Sequence, residues 1–177
     1  MKRQTFLTSE HLDLVLLTPD DAPQLARWFN DQTVTQYLAR GDYPMTEAEE
    51  RTYLEKVYAD KSKLQLGVWH RNDQKLIGTV GMHQINDRDL RATFGIALGE
   101  TDYWSQGYGG EILTTMLHWA FTIRGLRLVT LTVLGNNPRA IRCYEKCGFV
   151  HAGTYPTAIY KQGTWHDEHL MYCRNPA

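Results

Sequence analysis

Apolar side chains recur along the chain at two different spacings, and the spacing changes from one segment to the next. Segments rich in Leu, Val and aromatic residues predict β-strands, whereas apolar residues three or four positions apart predict helices with one buried face. The polar turn at 71–74 joins two strand segments into a predicted antiparallel hairpin, and a third strand follows the turn at 86–89. The predicted strands are 11–17, 64–70, 76–85, 91–98, 128–134, 149–155, 158–160 and 166–172.

Two helix starts carry a hydroxyl residue followed three positions later by an acidic residue. The pairs are Thr18 with Asp21 and Thr46 with Glu49, and each matches the capping-box pattern of a helix N-terminus. The segment 31–45 has no clear period and is expected to be a loop or a short turn of helix. The predicted helices are 20–30, 47–58, 110–123 and 137–148.

With the three β segments at the end of the chain counted as two strands, the order of these elements is β-α-α-β-β-β-α-β-α-β-β, which indicates a mixed α/β (α+β) protein. It lacks the strict βαβ alternation of a doubly wound dinucleotide-binding fold. Strand 128–134 has no polar face, which predicts a buried position at the centre of the sheet. Neither an internal repeat nor a long linker divides the chain, so one domain over 1–177 is the simplest organisation.

Composition excludes several classes of protein. The net charge is −1 and no basic tract is present, so nucleic-acid binding is not expected. No apolar run approaches a membrane span, and the first residues lack the apolar core of a signal peptide. A cytoplasmic location with reduced cysteines is therefore expected, and the cysteine spacing gives little support for a metal site. Oligomeric state stays open, with a homodimer among the candidates.

A glycine-rich turn, Gln106-Gly107-Tyr108-Gly109-Gly110, lies between strand 91–98 and helix 110–123. The first N–H groups of a helix have no partner within it, and glycines let a ligand approach them closely. Such donors favour a phosphate or pyrophosphate, although a tight strand-to-helix connection would also select glycine. The spacing is neither that of a P-loop nor GxGxxG, which argues against nucleotide hydrolysis and dinucleotide binding.

A second motif, NPRAIRCYEKCGF, follows strand 128–134 and covers residues 137–149. Together with the glycine turn it resembles the GNAT acetyltransferases. That superfamily carries R/Q-x-x-G-x-G/A before a helix and, after the next strand, an Asn, a small residue, a Tyr and Gly-Phe. The matching positions here are Gly107, Gly109, Asn137, Ala140, Tyr144, Gly148 and Phe149.

The resemblance extends through most of the chain and is closest to the RimJ/RimL branch, the ribosomal-protein-alanine N-acetyltransferase type. Leu76-Ile77-Gly78-Thr79, Tyr103-Trp104 and the segment 163–171 contribute to it. It implies the GNAT acyl-CoA N-acyltransferase fold, with a central mixed, mostly antiparallel sheet of about seven strands flanked by about four helices. It also implies acetyl-CoA as cosubstrate, no metal, and a protein N-terminal amine as acceptor.

The resemblance further implies roles for individual residues. Tyr144 is placed at the sulfur of the thioester, where its phenol would protonate the leaving thiolate. The amine must also lose a proton before it attacks, because an amine with a pKa near that of Lys is protonated in neutral water. The residues expected to bind the cofactor are Ile96, Ala97, Leu98, Ser105, Gln106, Gly107, Tyr108, Gly109, Gly110 and Asn137.

Two positions depart from the family pattern. Trp104 stands where Arg or Gln is usual, so the turn is expected to act through its backbone N–H groups. Thr93 stands where the strand often carries a catalytic Glu, which leaves the general base open between His83, Glu100 and water.

The acceptor site is less well defined by the sequence. Acidic side chains at Asp31, Glu47 and Asp167 are candidates for pairing with a cationic acceptor, although acids at helix starts more often act as caps. Two alternatives stay open: acetylation of a small-molecule amine, such as a polyamine, aminoglycoside or amino-acid-like compound, and a non-catalytic acyl-CoA-binding module. The aromatic residues proposed to line an acceptor slot are Trp28, Tyr37, Tyr43, Tyr155, Tyr160 and Trp165.

Overall fold

Eight β-strands form one sheet in the computed structural model, which describes residues 3–176. They are β1 (Thr5–Thr8), β2 (Leu12–Val15), β3 (Leu64–His70), β4 (Lys75–Asn86), β5 (Arg91–Leu98), β6 (Leu128–Leu134), β7 (Val150–Lys161) and β8 (Thr164–Arg174). Their order across the sheet is β1-β2-β3-β4-β5-β6-β8-β7. The last two strands therefore form a hairpin whose second strand pairs with β6.

Five α-helices accompany the sheet in this part of the chain. They are α1 (Ala22–Asn30), α2 (Gln32–Thr35), α3 (Glu47–Lys56), α4 (Tyr108–His118) and α5 (Pro138–Lys146). The predicted capping box of α3 is present, because Glu49 N–H donates to Thr46 Oγ1 at 3.2 Å and Thr46 N–H donates to Glu49 Oε2 at 2.9 Å. The equivalent pair at Thr18 instead begins a short 3-10 turn, Pro19–Asp21, and α1 starts directly after it.

The pairing between β5 and β6 differs from all the others in the sheet. Every other neighbouring pair is antiparallel, whereas β5 and β6 are parallel and pair only between 91–93 and 128–130. Beyond these residues β5 continues to Leu98 paired with β4, and β6 continues to Leu134 paired with β8. The two strands therefore separate and open a gap within the sheet.

Two apolar clusters pack on the two faces of the sheet. Ile77 belongs to the larger cluster, together with α4 and Phe149, and its neighbour Leu76 belongs to the smaller one, together with α1 and Leu54 of α3. Adjacent residues of a strand contribute to different clusters because successive side chains point to opposite faces. Helices α1 and α3 thus cover one face, and helix α4 covers the other.

The predicted fold class is confirmed, with differences in the counts of elements. Eight strands and five helices replace about seven and four. The short edge strand β1 was missed because its four residues are mostly exposed and show no apolar alternation. The segments 149–155 and 158–160 are one strand, β7, whose register shifts between Tyr155 and Ile159. The short helix α2 lies within the segment 31–45, for which a loop or a helical turn was predicted.

Two further features differ from the prediction, namely the start of α4 and the burial of β6. Helix α4 starts at Tyr108, within the glycine turn, and a π-helical turn over Trp119–Ile123 extends it. Strand β6 lies inside the sheet but is not buried on both faces, since Thr132 is exposed. The reason is the gap beside β5, which Thr132 lines.

Candidate active site

The gap between β5 and β6 is the mouth of a large cleft. Its cavity volume is about 740 Å³, which is within the range of small-molecule and cofactor sites. The two strands, the glycine turn and helix α5 form its walls. Most of the predicted cofactor-binding residues line it, namely Ile96, Ala97, Leu98, Ser105, Gly107, Gly109, Gly110 and Asn137, and so does Tyr144.

The glycine turn presents a set of backbone donors to this cleft. Gly107 adopts φ +90° as the residue before α4, a left-handed conformation that glycine reaches without steric cost. The N–H groups of 105–109 make no hydrogen bond within residues 3–176. Gly110 and Glu111, in contrast, already donate to the Gly107 carbonyl at 3.0 and 3.2 Å. The free donors therefore end at Gly109, one residue earlier than predicted.

Cationic side chains reach the cleft from α5 rather than from the turn. The Arg139 guanidinium lies 4.4 Å from the centre of the Trp104 ring, and Arg142 and Lys146 line the same cavity. The Trp104 indole N–H donates to the Leu98 carbonyl at 2.9 Å, which fixes the ring beside the end of β5. Sequence reasoning missed these three cations, although their spacing of three and four residues places them on one face of a helix.

Two predicted cofactor-binding residues direct their side chains elsewhere. The Gln106 amide donates to the Asp102 carbonyl. The Tyr108 hydroxyl lies 2.9 Å from His70 Nε2, and His70 Nδ1 lies 3.0 Å from Asp73 Oδ2. Neither side chain lines the large cleft, and the Tyr108 ring anchors the start of α4 to β3.

Asn137 and Tyr144 are held on α5 by different contacts. Asn137 is buried and caps the helix, since its Oδ1 accepts from Ala140 N–H at 3.2 Å. The Tyr144 ring packs edge-on against Phe94, with 6.4 Å between ring centres. Burial, and to a lesser degree Cys143, raises the pKa of the Tyr144 hydroxyl. The phenol therefore stays protonated at neutral pH.

A second cavity, of about 250 Å³, lies against the other face of β5, beneath α1 and α3. Gly95, Ile96 and Ala97 line both cavities, as do Leu38 and Ala39. The two spaces therefore adjoin along this short stretch of β5 and the residues beside it. We call the smaller space the His83 cavity, after the histidine that lines it.

His83 faces the position where the two cavities adjoin. A Cβ atom built on Gly95 would lie 3.1 Å from His83 Nε2, so the absence of a side chain at Gly95 gives the imidazole access to this stretch of β5. Burial lowers the pKa of His83, and the charges of Arg40 and Lys63 lower it further. The ring is therefore neutral at pH 7 and able to accept a proton.

Glu100, the other candidate base, lies outside both cavities. Its carboxylate accepts hydrogen bonds from Lys75 Nζ at 2.6 Å, from Trp28 Nε1 at 2.7 Å and from Arg27. Burial raises the pKa of Glu100, but these bonds outweigh it and lower the pKa to about 2. A carboxylate held in this way is a weak base, and it connects α1 to the end of β5.

Glu50 is a buried carboxylate that sequence reasoning did not single out. It is 2% exposed and lines the His83 cavity. Its Oε1 lies 3.5 Å from Arg40 Nη1, and its Oε2 has no hydrogen-bond partner within residues 3–176. The signal in the sequence was its position, since Glu50 and Leu54 of α3 and Val57 directly after the helix are buried at the spacing i, i+4, i+7.

The loop beside Glu50 is tied to the C-terminal hairpin. Lys161 of β7 is buried, and its ammonium donates to the Arg40 carbonyl and to Asp42 Oδ1, the latter at 3.0 Å. The Arg40 guanidinium in turn lies 4.7 Å from the centre of the Phe29 ring. The wall of the His83 cavity is therefore held from both sides.

The predicted aromatic slot is not assembled. Trp28 is in the core, and only Tyr37 of the six aromatic residues lines the large cleft. The other four are exposed because they lie in the loop 36–46 or on the outer hairpin formed by β7 and β8. They are Tyr43, Tyr155, Tyr160 and Trp165.

Two of the three acidic candidates for the acceptor site have local hydrogen-bond partners. Asp31 accepts from Thr33 N–H and Asp167 accepts from Thr157 N–H, each at 2.8 Å. Glu47 is the first residue of α3, in the turn next to Thr46. None of the three lines either cavity among the described residues.

The cysteines are free thiols: Cys143 and Cys147 line the large cleft, and Cys173 is in the core. Over residues 3–176, no group of three or more His, Cys, Asp or Glu side chains is placed to hold a metal ion. In the same residues, no helix is long and apolar enough to cross a bilayer.

Comparison with known proteins identifies relatives of this chain in both sequence and structure. The chain is 26% identical over 174 residues to the uncharacterized N-acetyltransferase YoaA of Bacillus subtilis, covering 96% of this chain and 97% of that protein. It is 27% identical over 143 residues to spermidine N(1)-acetyltransferase of Vibrio cholerae, covering 81% of each. A crystal structure of spermidine N-acetyltransferase from Vibrio cholerae with CoA and spermine superposes with a TM-score of 0.84 at 25% identity, over 93% of this chain and 96% of that one.

A sequence model of the acetyltransferase (GNAT) domain matches residues 11–150, which include the glycine turn, the gap between β5 and β6, and Tyr144. The relatives are N-acetyltransferases, and the similarity covers nearly all of the chain. The chain therefore belongs to the GNAT family of N-acetyltransferases, whose acetyl donor is acetyl-CoA.

Proposed function

We propose that the protein transfers the acetyl group of acetyl-CoA to a primary amine of a small molecule. In this proposal CoA occupies the cleft between β5 and β6, and the amine enters from the His83 cavity. The main support for this proposal is that the two cavities meet at Gly95, Ile96 and Ala97. A donor and an acceptor bound on opposite sides of this stretch would come together at one position.

The large cleft has the groups that CoA requires. Its pyrophosphate needs several donors and positive charge, which the free N–H groups of 105–109 and Arg139 supply at one end. Its pantetheine arm carries amides, which suit the backbone of Ile96, Ala97 and Leu98 along the unpaired edge of β5. These residues are therefore assigned to the cofactor.

Two proton transfers accompany the movement of the acetyl group from the thioester to the neutral amine. The amine nitrogen attacks the thioester carbon, and the C–S bond of the resulting tetrahedral species breaks. In the proposed mechanism, His83 accepts the proton that the nitrogen loses, and the Tyr144 hydroxyl donates a proton to the leaving sulfur. Their pKa shifts suit these roles, because both groups are neutral at pH 7.

Two observations support a small acceptor over a protein N-terminus. The His83 cavity has a volume of about 250 Å³, less than the lower end of the usual range for drug-sized ligands, which suits a small amine. One of the relatives is a spermidine N(1)-acetyltransferase. The RimJ/RimL type of acceptor, a protein N-terminal amine, is retained as an arm of the experiment that follows.

Thiol release from acetyl-CoA tests this proposal directly. We expect release with small primary amines and little or none with short peptides that begin with Ala or Ser, because a peptide exceeds the His83 cavity. Mass spectrometry of the products confirms N-acetylation. Efficient turnover of the peptides alone would contradict the small-molecule assignment, and binding of CoA without turnover of any amine would contradict the enzymatic one.

Replacement of Tyr144 by Phe tests the proton donor. The expected result is a decrease of roughly tenfold or more in kcat with little change in the KM of acetyl-CoA, because the leaving thiolate loses its general acid. Steady-state kinetics at saturating amine provides the measurement. Tyr160→Phe, an exposed tyrosine on the outer hairpin, is the matched control, and wild-type kcat in Tyr144→Phe would remove Tyr144 from this role.

Replacement of His83 by Gln tests the proton acceptor through pH. In the wild type, kcat should fall as the pH drops through the pKa of His83, below about 6.5, because an imidazolium cannot accept a proton. Arg40, Lys63 and Glu50 are the charged groups around the ring.

In His83→Gln we expect that acidic limb to disappear and the plateau kcat to fall roughly tenfold or more. His151→Gln, on the exposed hairpin, should keep the wild-type profile. An unchanged acidic limb in His83→Gln would assign the proton to water or to another group.

Substitution in the glycine turn tests how the phosphate is held. Gly109→Val should weaken CoA binding more than Trp104→Ala, because a side chain at Gly109 blocks backbone donors, whereas Trp104 supports the site indirectly. A Cβ at Gly109 meets only Cys143 Sγ, at 3.6 Å, so the protein itself accommodates it. Isothermal titration with CoA is the measurement, and Gly153→Val, at an open position, is the control. The reverse order of affinities would mean that side chains, not backbone, hold the phosphate.

A further inference from the structure

Glu50 combines deep burial with an incomplete set of partners. A carboxylate that is 2% exposed normally has both oxygens hydrogen-bonded, because an unpaired buried charge is costly. Here Oε2 has no partner within residues 3–176, and Oε1 meets Arg40 Nη1 only at 3.5 Å. The protein therefore keeps one acceptor oxygen unsatisfied beside the His83 cavity.

Arg40 does not account for this carboxylate. Its guanidinium lies over the Phe29 ring at 4.7 Å, and its side chain is 47% exposed. An ion pair that is long and partly solvated contributes little to stability. A purely structural pair would also leave no reason for Oε2 to remain unpartnered.

The remaining walls of the cavity suit the carbon chain of an alkylamine. Leu25, Phe29 and Leu38 provide apolar surface, and Gln65 and Thr79 provide neutral polar groups. Glu50 is the one carboxylate among the described residues that line this cavity, and His83 lines it as well. An acceptor that reaches the thioester past His83 therefore passes an apolar wall and a buried carboxyl group.

We propose that Glu50 binds a second ammonium group of the acceptor, so that the substrate is a diamine or polyamine and Glu50 determines that specificity. This inference rests on the proposed function and adds the substrate class to it. One amine reacts at the thioester while another, separated by an alkyl chain, pairs with Oε2 of Glu50. A monoamine leaves that oxygen unpaired, and an acceptor with a carboxylate in the second position is repelled by it.

Three acceptors of matched length test the inference: butylamine, 1,4-diaminobutane and 4-aminobutanoate. For the wild type we expect kcat/KM to be highest for the diamine. In Glu50→Gln, the kcat/KM of the diamine should fall roughly tenfold or more, since a buried charge pair is lost, while that of butylamine stays within about twofold. The preference for the diamine, as a ratio of the two values, is the readout.

Controls separate recognition from folding. Glu55→Gln changes an exposed glutamate of the same helix and should keep the wild-type ratio. Glu50→Asp retains the charge and should keep more of the diamine preference than Glu50→Gln. Thermal unfolding and CoA titration check that each variant is folded. If Glu50→Gln does not fold, the preference for the diamine over butylamine, measured in Glu50→Asp and in the wild type, still tests the role of Glu50.

The outcomes distinguish this inference from the proposed function. Equal losses for butylamine and the diamine in Glu50→Gln, or no preference for the diamine in the wild type, would overturn the role of Glu50 while acetyl transfer stands. A preference for 4-aminobutanoate would assign the second position to Arg40 instead and would also overturn it. Failure of every amine to release thiol would count against the proposed function itself.

Discussion

The separation of β5 from β6 is the constraint on which the rest of the site depends. Three residue pairs hold the strands together, and beyond them each strand keeps a partner on its outer side only. Backbone groups that a continuous sheet would use internally thus face a cleft. The loss of strand pairing creates the cleft that we assign to CoA, and the glycine turn and α5 line this cleft with N–H groups and cations.

The same stretch of β5 also organises the acceptor side. Residues 95–97 line both cavities, so a single strand segment separates the groups assigned to the donor from those assigned to the acceptor. The lack of a side chain at Gly95 is important here, because the imidazole of His83 occupies the space that such a side chain would need. His83 and Tyr144, the groups proposed to transfer protons, have shifted pKa values and line the smaller and the larger cavity respectively.

Features that depend on residues close together in the sequence could be predicted, whereas features that depend on contacts between distant segments could not. The capping box of α3, strand β3 and the glycine turn depend on neighbouring residues, and the structure has them where the pattern predicts. Glu100 is different, because the hydrogen bonds that make it a poor base come from Arg27, Trp28 and Lys75 on other elements. Glu50 was overlooked because its spacing within α3 indicates burial but not the missing partner of Oε2.

Lys161 of β7 connects the C-terminal hairpin to the loop that carries Arg40, which lines the His83 cavity. Its ammonium and the Arg40 carbonyl are 121 residues apart in sequence. The wall that carries Arg40 is therefore held in place by a residue of the C-terminal hairpin. In the proposed arrangement, substitutions in β7 and β8 that contact neither the amine nor CoA would therefore alter selectivity for the acceptor while the donor site stays unchanged.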